Sequence, residues 1–112
     1  MKDFRSLKVW EKSHLLALKI YQLTGSFPKE EIYGLTRQIR RAVVSIPTNI
    51  AEGCGRGTDA ELAQFCQIAV GSASEVEYLL LISHDLGLLT DSAYETLNLE
   101  INEVKRMLIS LL

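Results

Sequence analysis

The chain has 112 residues, of which 47% are hydrophobic and 23% charged; these values fit one globular domain over residues 1–112 and exclude a disordered or fibrous chain. Its longest unbroken apolar run, Tyr78 to Ile82, falls far short of the roughly 20 residues of a membrane-spanning helix, and no signal-peptide segment opens the chain, so a cytoplasmic protein with no membrane partner is expected. The net charge of −2 divides unevenly, with net +5 over residues 1–57 and net −7 over residues 58–112, an asymmetry that fits either a polyanionic partner or two halves that neutralise each other within or between copies.

Strand signals are almost absent, since the β-branched residues fall at helical spacing and no Asn-Gly or Asp-Gly hairpin occurs. The first helix is predicted from Ser6 to Thr24, with Val9, Trp10, Ala17, Ile20 and Tyr21 on a core face and Gly25-Ser26 ending it. Pro28 opens a second segment in which Glu30 and Glu31 suit the positive helix end. From Leu35 onward, Leu35, Ile39, Ala42, Val43, Ile46 and Ile50 share one face, while Arg37, Arg40, Arg41 and Thr48 share the opposite one. Pro47 is expected to bend this helix, with Asn49 satisfying a freed backbone group. Gly53, Gly55 and Gly57 are expected to break it.

Thr58-Asp59-Ala60-Glu61 is a capping box that opens a third helix, Asp59 to Leu86, roughly 42 Å long at 1.5 Å per residue. Leu62, Cys66, Ala69, Ala73, Val76 and Leu80 form one stripe and Phe65, Ile68, Leu79, Ile82 and Leu86 an adjoining one, so this helix needs neighbours on two sides. Its small residues, Ala69, Gly71, Ser72, Ala73 and Ser74, point to close helix approach. Gly87 ends it, and Thr90 or Asp91 caps a fourth helix presenting Ala93, Leu97, Ile101, Val104 and Leu108. Short connections then favour an all-α, antiparallel up-down-up-down four-helix bundle.

Catalytic signals are weak. His14 and His84 lie in different helices without a metal-binding spacing, Cys54 and Cys66 have neither metal-ligand nor disulfide spacing, and Glu75 and Glu77 point to different sides of one helix. No enzyme, cofactor or metal site is expected. The stretch Gly53 to Thr58 reads either as a phosphate cradle or as a plain glycine turn, and it lacks the spacing of a nucleotide-hydrolase loop. Arg37, Arg40 and Arg41 cluster on one helix face, with Arg56 able to join them if the chain folds back at the glycines. This patch reads either as a grip for nucleic-acid phosphates or as structural ion pairing with acidic residues such as Glu52 or Glu75. Only Tyr21 and Tyr33 add aromatic character, so shape-led, salt-sensitive binding is expected.

The run from Phe27 to Arg56, FPKEEIYGLTRQIRRAVVSIPTNIAEGCGR, followed by Phe65, Ile68-Ala69, Gly71-Ser72 and Glu75, resembles the four-helix bundle family encoded in bacterial 23S rRNA intervening sequences, as does the opening FRSLKVW. Arg41-Ala42, Ser45-Ile46, Asn49-Ile50-Ala51-Glu52-Gly53 and Gly55-Arg56 carry the resemblance. It implies an antiparallel bundle that assembles with itself into a ring, a pentamer, and it implies neither enzyme activity nor a ribosomal role. A related branch, the accessory variability determinant of diversity-generating retroelements, is a basic bundle that contacts nucleic acid and a reverse transcriptase; the pI of about 5.7 sets this chain apart from it. The expectation is a non-enzymatic oligomer binding structured RNA or a ribonucleoprotein through Arg37, Arg40, Arg41 and Arg56, or alternatively a protein-binding scaffold or accessory subunit whose arginines form intersubunit ion pairs with acidic residues such as Glu52 or Glu75. Asn49, Glu52, Gly53 and Glu75 are expected at structural or interface positions.

Overall fold

The structure, a computed structural model, describes residues 2–112. Among these the regular elements are all helical: α1 (Lys8–Thr24), α2 (Arg37–Arg56), α3 (Asp59–Asp85) and α4 (Asp91–Ile109). Each helix packs on the next in the chain and α1 also packs on α4, which closes an antiparallel four-helix bundle 43 Å long. The seam is built at i, i+3, i+4 and i+7 spacing. Leu16 and Ile20 of α1, Ile39, Val43, Ile46 and Ile50 of α2, Cys66, Val76 and Leu80 of α3, and Leu97, Ile101, Val104 and Leu108 of α4 are all buried in one core.

Local chemistry sets most helix ends. The Thr58 hydroxyl accepts the Glu61 N–H at 3.1 Å and donates to the Glu61 carboxylate at 2.9 Å, and Thr90 accepts the Ala93 N–H at 3.1 Å. Gly57 (φ 97°) and Gly87 (φ 78°) take the left-handed conformation just beyond α2 and α3, where a side chain is strained. Between α1 and α2 the chain makes a 3₁₀ turn, Lys29–Glu31, and a π-helical turn, Ile32–Thr36, so the regular helix begins later than Pro28. Gly34 (φ −109°, ψ −109°) departs from helical geometry there, and the Glu31 carboxylate accepts the Leu35 N–H at 3.2 Å.

Several expectations are corrected. Gly53 and Gly55 do not break α2, which runs on to Arg56 and passes through the buried Pro47 without interruption. A Cβ on Gly53 would lie 2.9 Å from Phe65 Cβ and 3.2 Å from Leu62 Cα, so this glycine is what lets α2 and α3 approach. Gly71 does not serve close approach, because it is exposed with open space around it. Asn49 donates to the Ser45 carbonyl at 2.8 Å, not to the Val43 carbonyl that Pro47 leaves without its usual partner. α3 is also long and apolar enough to cross a membrane by length and composition, with a mean hydropathy of 1.3 over its most apolar stretch. Packing between α2 and α4 accounts for its buried stripe, and Glu75 and Glu77 interrupt its apolar surface.

Candidate functional site

Arg37 and Arg41 stand one turn apart on α2, about 40° apart around its axis. They border an open groove of about 690 Å³ between α2 and α3, with Tyr33, Gln38, Ser72 and Glu75 among its walls. Neither guanidinium has a carboxylate within 4 Å among the described residues, whereas seven ion pairs form elsewhere. Glu75, the carboxylate of the groove, accepts a hydrogen bond from Gln38 Nε2 at 3.3 Å. At the floor Ser45 and Ser72 share a hydrogen bond of 2.8 Å across the two helices, and Asn49 donates to Ser45 Oγ at 3.0 Å. This polar tie positions the groove walls.

Arg40 takes no part in that arrangement. Its Nε donates to Thr24 Oγ1 at 2.9 Å, its terminal nitrogen donates to the Tyr21 carbonyl at 3.1 Å, and its guanidinium lies 4.7 Å from the centre of the Tyr21 ring. Thr24 in turn donates to the Ile20 carbonyl at 2.6 Å, so Arg40 clamps the end of α1 to the start of α2. Arg56 lies 19 residues beyond Arg37 on the same helix, about 28 Å away, because α2 continues where a fold-back was expected. It pairs with Glu52 at 3.2 Å and sits 5.1 Å from the Phe65 ring centre. The four arginines therefore divide into two, Arg37 and Arg41, whose guanidiniums have neither a hydrogen bond nor an ion pair among the described residues, and two, Arg40 and Arg56, engaged in the fold. Of the two readings of Gly53 to Thr58, the phosphate cradle loses its support, since Gly53 and Gly55 lie within α2 and the Glu61 N–H behind Thr58 is already capped.

A second groove of about 430 Å³ adjoins the first on the α1 side, walled by Tyr21, Ile32, Thr36 and Arg40 and sharing Tyr33, Arg37 and Arg41 with it. Tyr33 separates the two and is 87% exposed. It sits in the turn Ile32–Thr36, next to the kink at the non-helical Gly34. Sequence reasoning assigned Tyr33 only a minor aromatic contribution and missed Gln38 and Ser72. The Tyr33-Gly34 pair ahead of a clear helical pattern was the available signal. Thr36, in the same turn, has the one buried side-chain oxygen without a hydrogen-bond partner among the described residues.

The histidines lie apart from this site. His14 stacks on Trp10, with ring centres 5.0 Å apart, and His84 Nε2 meets Asp91 at 2.6 Å while its ring stacks on Tyr94. The hydrogen bond that His84 donates to the Asp91 carboxylate raises the His84 pKa above the ordinary histidine value, with desolvation opposing it. Burial pushes the Cys54 and Cys66 thiols up, which disfavours their thiolates. No group of three or more His, Cys, Asp or Glu side chains converges among the described residues.

Comparison with known proteins accounts for this fold. None of the curated proteins compared matches the chain. A crystal structure of a protein of unknown function from the S23 ribosomal protein family, from Bacteroides thetaiotaomicron, is similar to it with a TM-score of 0.84 and 30% identity, covering 92% of this chain and 93% of the other. Residues 5–110 match the family described as 23S rRNA-intervening sequence protein. The chain belongs to the 23S rRNA-intervening sequence protein family.

Proposed function

We propose that this protein acts by contact and without catalysis, binding structured RNA across the groove that Arg37 and Arg41 border. The observation that carries this reading is the pair of neighbouring guanidiniums without carboxylate partners, facing an open polar groove. Arginine presents a planar fork of donors to phosphate and stays charged at any physiological pH. Two such groups neutralise two phosphates, and the released counterions make binding salt-dependent. The family's link to 23S rRNA intervening sequences makes an rRNA stem-loop the natural probe. In a salt titration, Arg37→Ala/Arg41→Ala is expected to lower the slope of log K against log salt by roughly 1.4–1.8, since each contact contributes about 0.7–0.9. An unchanged slope and affinity would remove the reading, and Arg56→Ala serves as the comparison substitution.

A second reading, assembly with copies of itself, is favoured by charge and exposure together. The basic half of the sequence forms α1 and α2 and the acidic half forms α3 and α4, so each copy carries oppositely charged sides. Leu18 (55% exposed) on the basic side and Ile68 (50%) and Tyr78 (58%) on the acidic side are apolar groups that such a contact would cover. Joining unlike faces generates a ring when the rotation closes, in keeping with the pentamer that the family resemblance implies. Sedimentation at low and high salt tests this: a mass of one chain at every salt concentration contradicts it.

A further inference from the structure

We infer that the RNA element taken by this groove is an unpaired nucleotide, with its base stacked on Tyr33 and its flanking phosphates on Arg37 and Arg41. This rests on the RNA reading above and names the kind of RNA. Among the described residues Tyr33 is the most exposed large side chain of apolar character, at 87%, and the turn Ile32–Thr36 holds it on the ridge between two grooves. Both grooves contain Arg37 and Arg41, so a strand crossing the ridge meets an aromatic face and two guanidiniums within about two turns of helix. The other tyrosine at this end, Tyr21, already has the Arg40 guanidinium over its ring, which leaves Tyr33 as the free platform.

The choice of an unpaired nucleotide follows from the shape of RNA. In an A-form duplex every base face is covered by its neighbours, and the deep major groove is too narrow for side chains to read. A tyrosine ring finds a base face only at a bulge, a loop or an end. Stacking tolerates any base, because each has a π-face, and the groove has Gln38 as its one amide for contact with base edges. Recognition of a local irregularity in an RNA helix, with little preference for sequence, is the outcome.

The test uses the full chain with two labelled RNAs: a blunt duplex, and the same duplex carrying an unpaired adenosine or the fluorescent base 2-aminopurine as a bulge. The wild type is expected to prefer the bulged duplex and to quench the 2-aminopurine. Tyr33→Leu should weaken binding to the bulged duplex roughly tenfold, the order found for loss of one stacked base. It should weaken binding to the plain duplex, whose only uncovered base faces are its two ends, far less, and it should abolish the quenching, while Tyr33→Phe retains both properties. Equal binding of the two RNAs with Tyr33→Leu inert, while Arg37→Ala/Arg41→Ala still weakens both, overturns the unpaired-nucleotide inference and leaves the RNA reading standing. If neither RNA binds, or the arginine double variant binds as the wild type does, both fall. A change in oligomeric mass for that variant would then assign the groove to a protein contact.

Discussion

Gly53→Ala tests how closely α2 and α3 are held together. In an exposed helix the change from glycine to alanine stabilises by about 1 kcal/mol, because the unfolded chain loses freedom and the helix gains a better former. At Gly53 the added Cβ would meet Phe65 Cβ at 2.9 Å, Leu62 Cδ1 at 3.1 Å and Leu62 Cα at 3.2 Å. Carbon atoms pack best at about 3.5–4.0 Å. Leu62 can swing its Cδ1 away, but the other two atoms move only with the α3 backbone, so the helices must part at this crossing. Overpacking of this kind costs about 1–3 kcal/mol, which cancels or outweighs the helix gain. Gly71→Ala is the internal reference, since Gly71 lies in α3 where an added methyl would have nothing within 4 Å, and it should show the full gain. The difference between the two variants then isolates the steric cost, about 1–3 kcal/mol, or several degrees in Tm for a chain of this size. Urea unfolding followed by helical circular dichroism measures it, with an unchanged m-value confirming that only stability has moved. A Gly53→Ala protein as stable as Gly71→Ala would refute the close-approach reasoning.

Arg40→Ala should destabilise the bundle by about 1–3 kcal/mol through lost charged hydrogen bonds to Thr24 and Tyr21. It should change RNA affinity far less than Arg37→Ala/Arg41→Ala, and urea unfolding beside an RNA titration separates the two effects. Thr36→Val keeps the side-chain shape and removes the unpartnered hydroxyl, so it should raise stability by about 1 kcal/mol, read as a higher unfolding midpoint. Because His84 has its folded pKa raised by Asp91, the stabilisation from this pair is fully present below the ordinary histidine pKa and is lost as pH rises through the folded value. Asp91→Asn should therefore flatten the decline in Tm upward from about pH 6.5; a decline identical to the wild type's would count against the pair. Cys54 and Cys66 are buried with raised pKa values, so a thiol reagent at mildly alkaline pH should label them slowly in the folded protein and rapidly in urea.

Spacing and capping within a few residues specify the helical class, the four segments and most of each inward face, although Tyr21, Ile68 and Leu86, which fall on the apolar stripes, are exposed. Ile39, Val43, Ile46 and Ile50 are buried as their period requires, and Thr58 caps α3 through the hydroxyl and carboxylate that the motif supplies. The tertiary structure decided what local rules treat alike. Gly53 and Gly71 carry the same weak helix propensity, yet one lies against Leu62 and Phe65 and the other faces open space. Gly53 and Gly55 read locally as breakers, but packing on α3 favours continuing α2 to Arg56, and that extension separates Arg56 from Arg37. Arg40 and Arg41 are chemically identical neighbours, separated by about 100° around the helix. That rotation brings Arg40 to the Thr24 hydroxyl and the Tyr21 carbonyl and leaves Arg41 over the groove. Which arginine serves the fold and which is left for a partner depends on α1, a separate helix, and the residues that decide it are distant in sequence.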